Sequence, residues 1–196
     1  MFDLPTSLEV NGKMLPIRQR GDYRMVLDCF GALNDSELDD ADRVLSSLII
    51  FYEDLNSESD VAEILGDSTT EAVEKMFAFF SCNDYTAVRT QQYSLVDWEQ
   101  DAQLIASAIN ETAKVEVRAL EYLHWWTFMG YYTAIKDCLW ASVVAIRFKI
   151  KAHKKLDKEE IIFKRENPQY FVWKATTVDD DDALEAVQQL WKFGGD

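Results

Sequence analysis

The sequence predicts a mainly α fold, a helical domain of about six to eight helices with a small N-terminal β-hairpin. Three observations carry this. Only 7 Gly and 3 Pro occur in 196 residues, too few for a turn-rich β-sandwich or a linker protein. A hydrophobic fraction of 48% and an aromatic fraction of 13% supply a packed interior for a chain of this length. Through most of the chain, apolar residues recur at the i, i+3, i+4, i+7 spacing of one helix face. The expected organisation is a helical domain over residues 1–174, followed over 175–196 by an acidic linker and a short C-terminal amphipathic helix.

The hairpin comes first. Asn11-Gly12 separates Leu8-Glu9-Val10 from Met14-Leu15-Pro16-Ile17, and this dipeptide tolerates the positive φ angles of a tight type I′ turn. Asp22 then caps a first helix whose Tyr23, Val26, Leu27 and Phe30 share a face, with Gly31 at its expected end. Asp39 to Asp42 put negative charge on the amide end of a second helix, whose stripe is Val44, Leu45, Leu48, Ile49 and Tyr52. The polar stretch from Asn56 to Thr70 reads as a mobile connection with a short helical run at Val61–Leu65 ended by Gly66. Glu71 to Ser81 returns to a helical face through Val73, Met76, Phe77 and Phe80.

In the second half, Asp97-Trp98-Glu99-Gln100 has the form of a capping box opening a helix with Leu104, Ile105, Ala108 and Ile109 on one side. A helix from about Val117 to Lys136 follows, apolar nearly all round. Leu139 to His153 begins apolar and becomes basic, which favours the negative end of a helix. Asp157 starts another helix, which must stop near Glu166 because Pro168 disfavours helical geometry at Asn167. Asp179 to Asp182 precede Leu184, Val187, Leu190 and Trp191, the one-sided stripe of the terminal helix, which is too short to be stable without something to pack on.

Charge and composition exclude several classes of function. A formal charge of −15 repels DNA, RNA and anionic lipid, so neither nucleic acid nor membrane is an expected ligand. Within that total, residues 147–174 carry 9 basic against 4 acidic side chains, and residues 175–196 carry 6 acidic against 1 basic. The basic stretch is expected to be neutralised by the acidic remainder of the fold. Three widely spaced cysteines, Cys29, Cys82 and Cys138, fit reduced thiols in a cytoplasm. Met1-Phe2-Asp3-Leu4-Pro5 lacks the pattern of a signal peptide, and Leu120 to Ile135 is interrupted by Glu121 and His124, short of a membrane span. A soluble protein is expected.

No residue set points to a catalytic cycle. Nucleophilic catalysis needs a base, and the two histidines have plainer roles: His124 as a hydrogen-bonded histidine on an apolar helix, His153 at the end of a basic one. Glu121 and His124 make a single Glu-x-x-His pair where a di-iron bundle needs two. The cysteines and histidines are too dispersed for zinc, Asp35 to Asp42 lacks the Gly and terminal Glu of a calcium loop, and there is no Gly-rich phosphate loop. Neither a metal nor a cofactor is expected. A carboxylate site around Glu99, Asp101 and Glu121 is the least favoured alternative.

Taken together, the hairpin around Leu8-Glu9-Val10-Asn11-Gly12-Lys13, the helix Val26-Leu27-Asp28-Cys29-Phe30-Gly31-Ala32-Leu33-Asn34-Asp35, the segment Asp97-Trp98-Glu99-Gln100-Asp101-Ala102-Gln103-Leu104-Ile105 and the segment Tyr122-Leu123-His124-Trp125-Trp126-Thr127-Phe128 resemble a family of siphophage proteins from phages of Gram-positive bacteria. Its gene usually lies between those of the major tail tube protein and the tape measure protein, and the family looks like the tail assembly chaperones. The resemblance covers most of residues 5–170 and omits Asn56 to Thr70 and the last 22 residues. It implies a protein of the host cell cytoplasm that binds the tape measure protein, recruits major tail tube protein around it, and is absent from the mature virion. The same composition also suits a structural virion component such as a tail connector or completion protein. Self-association stays open. Trp125, Trp126, Tyr131 and Tyr132, with Leu184, Val187, Leu190 and Trp191, are the candidate partner contacts, with plain core the favoured reading of the first four.

Overall fold

The computed structural model describes residues 3–83 and 95–172, which group into two compact units. The first holds residues 3–83 and 122–128, the second residues 95–121 and 129–172. The chain is mainly α, with seven helices of nine residues or more among the described residues and one two-stranded antiparallel sheet.

In the first unit, β1 (Ser7–Val10) pairs with β2 (Lys13–Pro16) in the register Val10 to Lys13 and Leu8 to Leu15. Asn11 and Gly12 take φ values of 48° and 74°, as a type I′ turn requires. Helix α1 (Tyr23–Leu33) starts where expected, with the Asp22 carboxylate accepting the Arg24 amide. It does not end at Gly31. A Cβ at Gly31 would meet nothing within 4 Å, and the helix runs on to Leu33, where Asn34 donates its amide side chain to the Phe30 carbonyl.

Helix α2 (Asp40–Phe51) is capped by Asp39, which accepts the Asp42 amide. It lies against α1 along a seam of small groups: the buried Ser47 hydroxyl donates to the Arg43 and Cys29 carbonyls, which lets the two backbones approach. Carbonyls at and just beyond the C-terminal end of α2 converge on one guanidinium. Arg18 Nη2 donates to the carbonyls of Leu55 at 2.7 Å and of Ile49 and Tyr52 at 3.1 Å, satisfying acceptors that a helix end leaves over.

The polar connection holds the expected helical run at Val61–Leu65, formed as a π turn ended by Gly66, and adds helical turns on either side, α3 (Glu58–Asp60) and a 3-10 turn at Gly66–Ser68, with Val61 and Leu65 buried. Helix α4 (Thr69–Phe80) completes the unit and brings Phe79 and Phe80 edge-on to Phe51, with ring centroids at 5.3 and 5.5 Å.

The continuous helix expected over Val117 to Lys136 is not formed. Val117–Ala119 is one 3-10 turn, and residues 120–124 leave helical geometry before α6 (Trp125–Thr133) begins. The cause is tertiary. The Asp22 carboxylate accepts the Leu123 amide at 2.9 Å, the Tyr23 amide donates to the Leu123 carbonyl at 2.9 Å, and Asp22 and His124 form a β-bridge. These bonds take the backbone groups that a helix through Leu123 would use.

The second unit packs α5 (Ala102–Ala113) on α7 (Leu139–Lys151) and ends in α8 (Lys158–Glu166) and a 3-10 turn at Pro168–Tyr170. The helix expected to open at Asp97 begins four residues later. Asp97 Oδ1 does accept the Glu99 and Gln100 amides, but the Asp97 amide goes to Asp101 Oδ2, and the Gln100 side chain donates to the Val172 carbonyl instead of closing the box. Helix α8 carries a complete capping box between Asp157 and Glu160 and stops at Glu166, before Pro168. The expected C-terminal linker and helix over 175–196 lie outside the described residues.

Candidate partner-binding surface

The four aromatic residues named as candidate contacts, with core the favoured reading, divide by burial. Trp125 is fully buried, and its indole N–H donates to the Phe80 carbonyl at 2.9 Å. It belongs to the core of the first unit. Trp126 is half-buried, donating its indole N–H to the Phe79 carbonyl at 2.9 Å. Tyr131 and Tyr132 are half-buried in the second unit, where the Tyr132 ring lies 5.3 Å from that of Trp98. Leu184, Val187, Leu190 and Trp191 lie outside the described residues.

His124 has both ring nitrogens engaged. Nδ1 lies 3.0 Å from the Trp126 amide and can only accept from it, so Nε2 carries the proton and donates to the Pro5 carbonyl, also at 3.0 Å. Burial holds its pKa below the ordinary 6.5. The neutral ring thus acts as a strut that caps α6 and ties in the N-terminal segment. Cys29 is likewise a core group, its thiol pushed up by burial and by the charge of Asp28. Asp101, a member of the carboxylate alternative, is buried with Arg147: Nη2 reaches Oδ1 at 2.9 Å and Nη1 reaches Oδ2, while Arg147 also donates to the Leu95 and Tyr170 carbonyls at 2.9 and 2.8 Å. Among the described residues, no group of His, Cys, Asp and Glu stands where it could hold a metal ion.

The surface that stands out lies on α8. Seven of the ten large apolar side chains exposed among the described residues fall in the second unit: Val115, Leu139, Phe148, Ile150, Ile161, Ile162 and Val172. Two of them share the outer face of α8, a helix with no buried residue. Ile161 is 54% and Ile162 44% exposed, and Lys158 and Arg165, three residues before and after them, extend the same stripe and are also exposed. The opposite side of α8 attaches it. Glu160 pairs with Lys149 of α7, and Phe163 meets Phe171 edge-on with ring centroids 6.1 Å apart. A helix attached through Glu160 and Phe163 therefore presents two isoleucines between two cations to solvent. The sequence signal for this face was present as the spacing of Lys158, Ile161, Ile162 and Arg165, but two apolar residues among charges do not read as a stripe until burial shows which side is attached.

The sequence matches the family described as Bacteriophage Gp15 protein over residues 1–167, and the chain belongs to that family of phage proteins. No curated protein and no solved structure matches it. Among the described residues, no helix is long and apolar enough to cross a membrane.

Proposed function

We propose that this phage protein is a tail assembly chaperone. It acts without enzymatic chemistry in the host cell cytoplasm, binds the tape measure protein, recruits major tail tube protein around it, and is left out of the mature virion. The observation that carries the proposal is the exposed isoleucine pair of α8 in a chain of net charge −15. A long helical partner with apolar stripes is covered by laying such a face into its groove, while the acidic remainder keeps the covered complexes apart and in solution. Family membership places the chain in a phage, and the resemblance to the chaperones supplies the choice of partners.

The test is a pull-down of tape measure and tube proteins by the tagged chain from a phage-infected or co-expressing cell, with unrelated acidic helical proteins as controls. Selective recovery of both proteins is expected. Recovery no greater than with the controls would reject the proposal. Mass spectrometry of purified virions is expected to lack the chain, and its stoichiometric presence would favour a connector or completion protein.

A further inference from the structure

We propose that the outer face of α8 takes an acidic amphipathic helix, its aliphatic stripe laid on Ile161 and Ile162 and its carboxylates on Lys158, Lys164 and Arg165. The proposal deepens the chaperone reading by naming the chemistry of the segment bound, and it rests on α8 being the partner-binding face.

Charge complementarity chooses this occupant. Of the cations in residues 147–172, the inward ones are neutralised within the second unit: Arg147 is buried on Asp101, and Lys149 pairs with Glu160. Lys151, Lys154, Lys155, Lys158, Lys164 and Arg165 are exposed, against the exposed carboxylates of Asp157, Glu159 and Glu166. Asp157 is further engaged as the α8 cap, accepting the Glu160 amide. A cationic surface therefore sits on a chain whose formal charge is −15.

Position on the helix decides which charges a ligand meets. Lys158 and Arg165 stand three or four residues from both isoleucines, and Lys164 stands three from Ile161. Glu159 and Glu166 neighbour Ile162 alone, on the far edge of the stripe, where Glu166 lies 3.8 Å from Arg165. A helix laid over the isoleucines thus has cations along its centre line and one edge. Carboxylates on its rim offset the cost of covering them, whereas lysines there would set like charges together.

The face also limits the size of the ligand. Lys158 to Arg165 spans about two helical turns, roughly 10 Å, which suits a partner of about two to three turns with aliphatic residues at i, i+3 or i+4, and i+7. At physiological ionic strength, exposed charges more than about 8 Å apart are largely screened, so so short a helix senses the cations of α8. A nucleic acid or an anionic bilayer meets the charge of the whole chain instead. Covering the two exposed isoleucines supplies the apolar part of the binding.

The experiment titrates the full chain, carrying labelled isoleucine methyls, with a stapled helical peptide of about 15 residues that has leucines at this spacing and glutamates beside them. A matched peptide with lysine for every glutamate is the control, and neither phage partner is present. The δ-methyls of Ile161 and Ile162 are expected to shift with the glutamate peptide, while those of the buried Ile17, Ile105 and Ile109 keep their positions and report an intact fold. Affinity is expected to fall at least about tenfold for the lysine peptide, and likewise for the glutamate peptide on Lys158→Glu/Arg165→Glu; that variant is expected to prefer the lysine peptide. A reversal of preference reports charge pairing at this face, which a loss of folding would not produce. Equal affinity of the parent chain for the two peptides, or binding that leaves Ile161 and Ile162 unmoved, would overturn the proposal. So would shifts of these methyls on concentrating the chain alone, which would assign the face to a second copy, or stronger binding to phosphatidylglycerol vesicles than to the peptide. A failed pull-down of tape measure protein beside a positive titration rejects the chaperone reading alone, and the converse rejects the acidic ligand alone.

Discussion

Replacing Arg147 is expected to be among the most damaging single changes in the second unit. Its side chain and that of Asp101 are each 2% exposed, so the pair lies out of reach of solvent screening. Arg147→Met keeps much of the volume but leaves the Asp101 carboxylate buried without its cation and the Leu95 and Tyr170 carbonyls without their donor. Breaking a buried pair from one side costs about 3–5 kcal/mol. Asp101→Leu leaves the guanidinium instead, still bonded to two carbonyls, and also orphans the Asp97 amide.

Removing both charges together removes the unpaired-charge penalty, so Arg147→Met/Asp101→Leu should be at least about 2 kcal/mol more stable than the two single losses added together. Amide exchange within α5 and α7, with urea melts of the four proteins, reads this directly. Additivity within about 0.5 kcal/mol would refute the argument that the pair is energetically coupled. For a chain of this size, a loss of about 4 kcal/mol corresponds to a fall in Tm of roughly 8–16 °C. Because Arg147 holds the Tyr170 carbonyl, the single substitution should also loosen the segment that follows α8.

Three further outcomes follow from particular residues. Gly21→Ala should destabilise by about 2–4 kcal/mol in a urea melt, since Gly21 has φ +79° and a Cβ there would stand 2.9 Å from Phe79 Cζ and 3.0 Å from His124 Nε2. Lys114 caps α5 at φ 58°, so Lys114→Gly should raise stability by about 0.5–1 kcal/mol, read as a higher Tm. His124 has a folded pKa below its unfolded value, so the unfolded chain takes up the proton first. Its contribution is constant above about pH 6.5 and is lost as pH falls below that, at no more than about 1.4 kcal/mol per pH unit, and His124→Asn should remove that part of the pH dependence of a denaturation series.

What was legible in the sequence was what local chemistry decides. Asp22, Asp39 and Asp157 cap helices because a short carboxylate before an apolar periodic run has neighbouring amides to accept, and Asn11-Gly12 turns because both residues tolerate positive φ. The misreadings lie where a distant group competes. Leu123 is drawn out of a helix by Asp22, which lies about a hundred positions earlier. Likewise, the Asp97 box is broken by the Asp101 oxygen that Arg147 also holds. Gly31 looked like a terminator by residue type, yet a C-terminal glycine matters only where φ turns positive, and here the helix runs through it. Of the candidate contacts, Trp125 is core, the reading favoured from its apolar helix, whereas the sequence does not single out the α8 isoleucines because two apolar residues among charges show no one-sided stripe.

The measurement closest to the central claim is the soluble yield of the tape measure protein when it is co-expressed with this chain or with Ile161→Asp/Ile162→Asp. Covering one isoleucine contributes about 1.5–3 kcal/mol, so two charged replacements should weaken binding by at least about tenfold. Soluble tape measure protein is expected with the parent chain, and its loss to the pellet with the variant, while the variant itself remains folded and soluble. Equal soluble yields with both would contradict that claim.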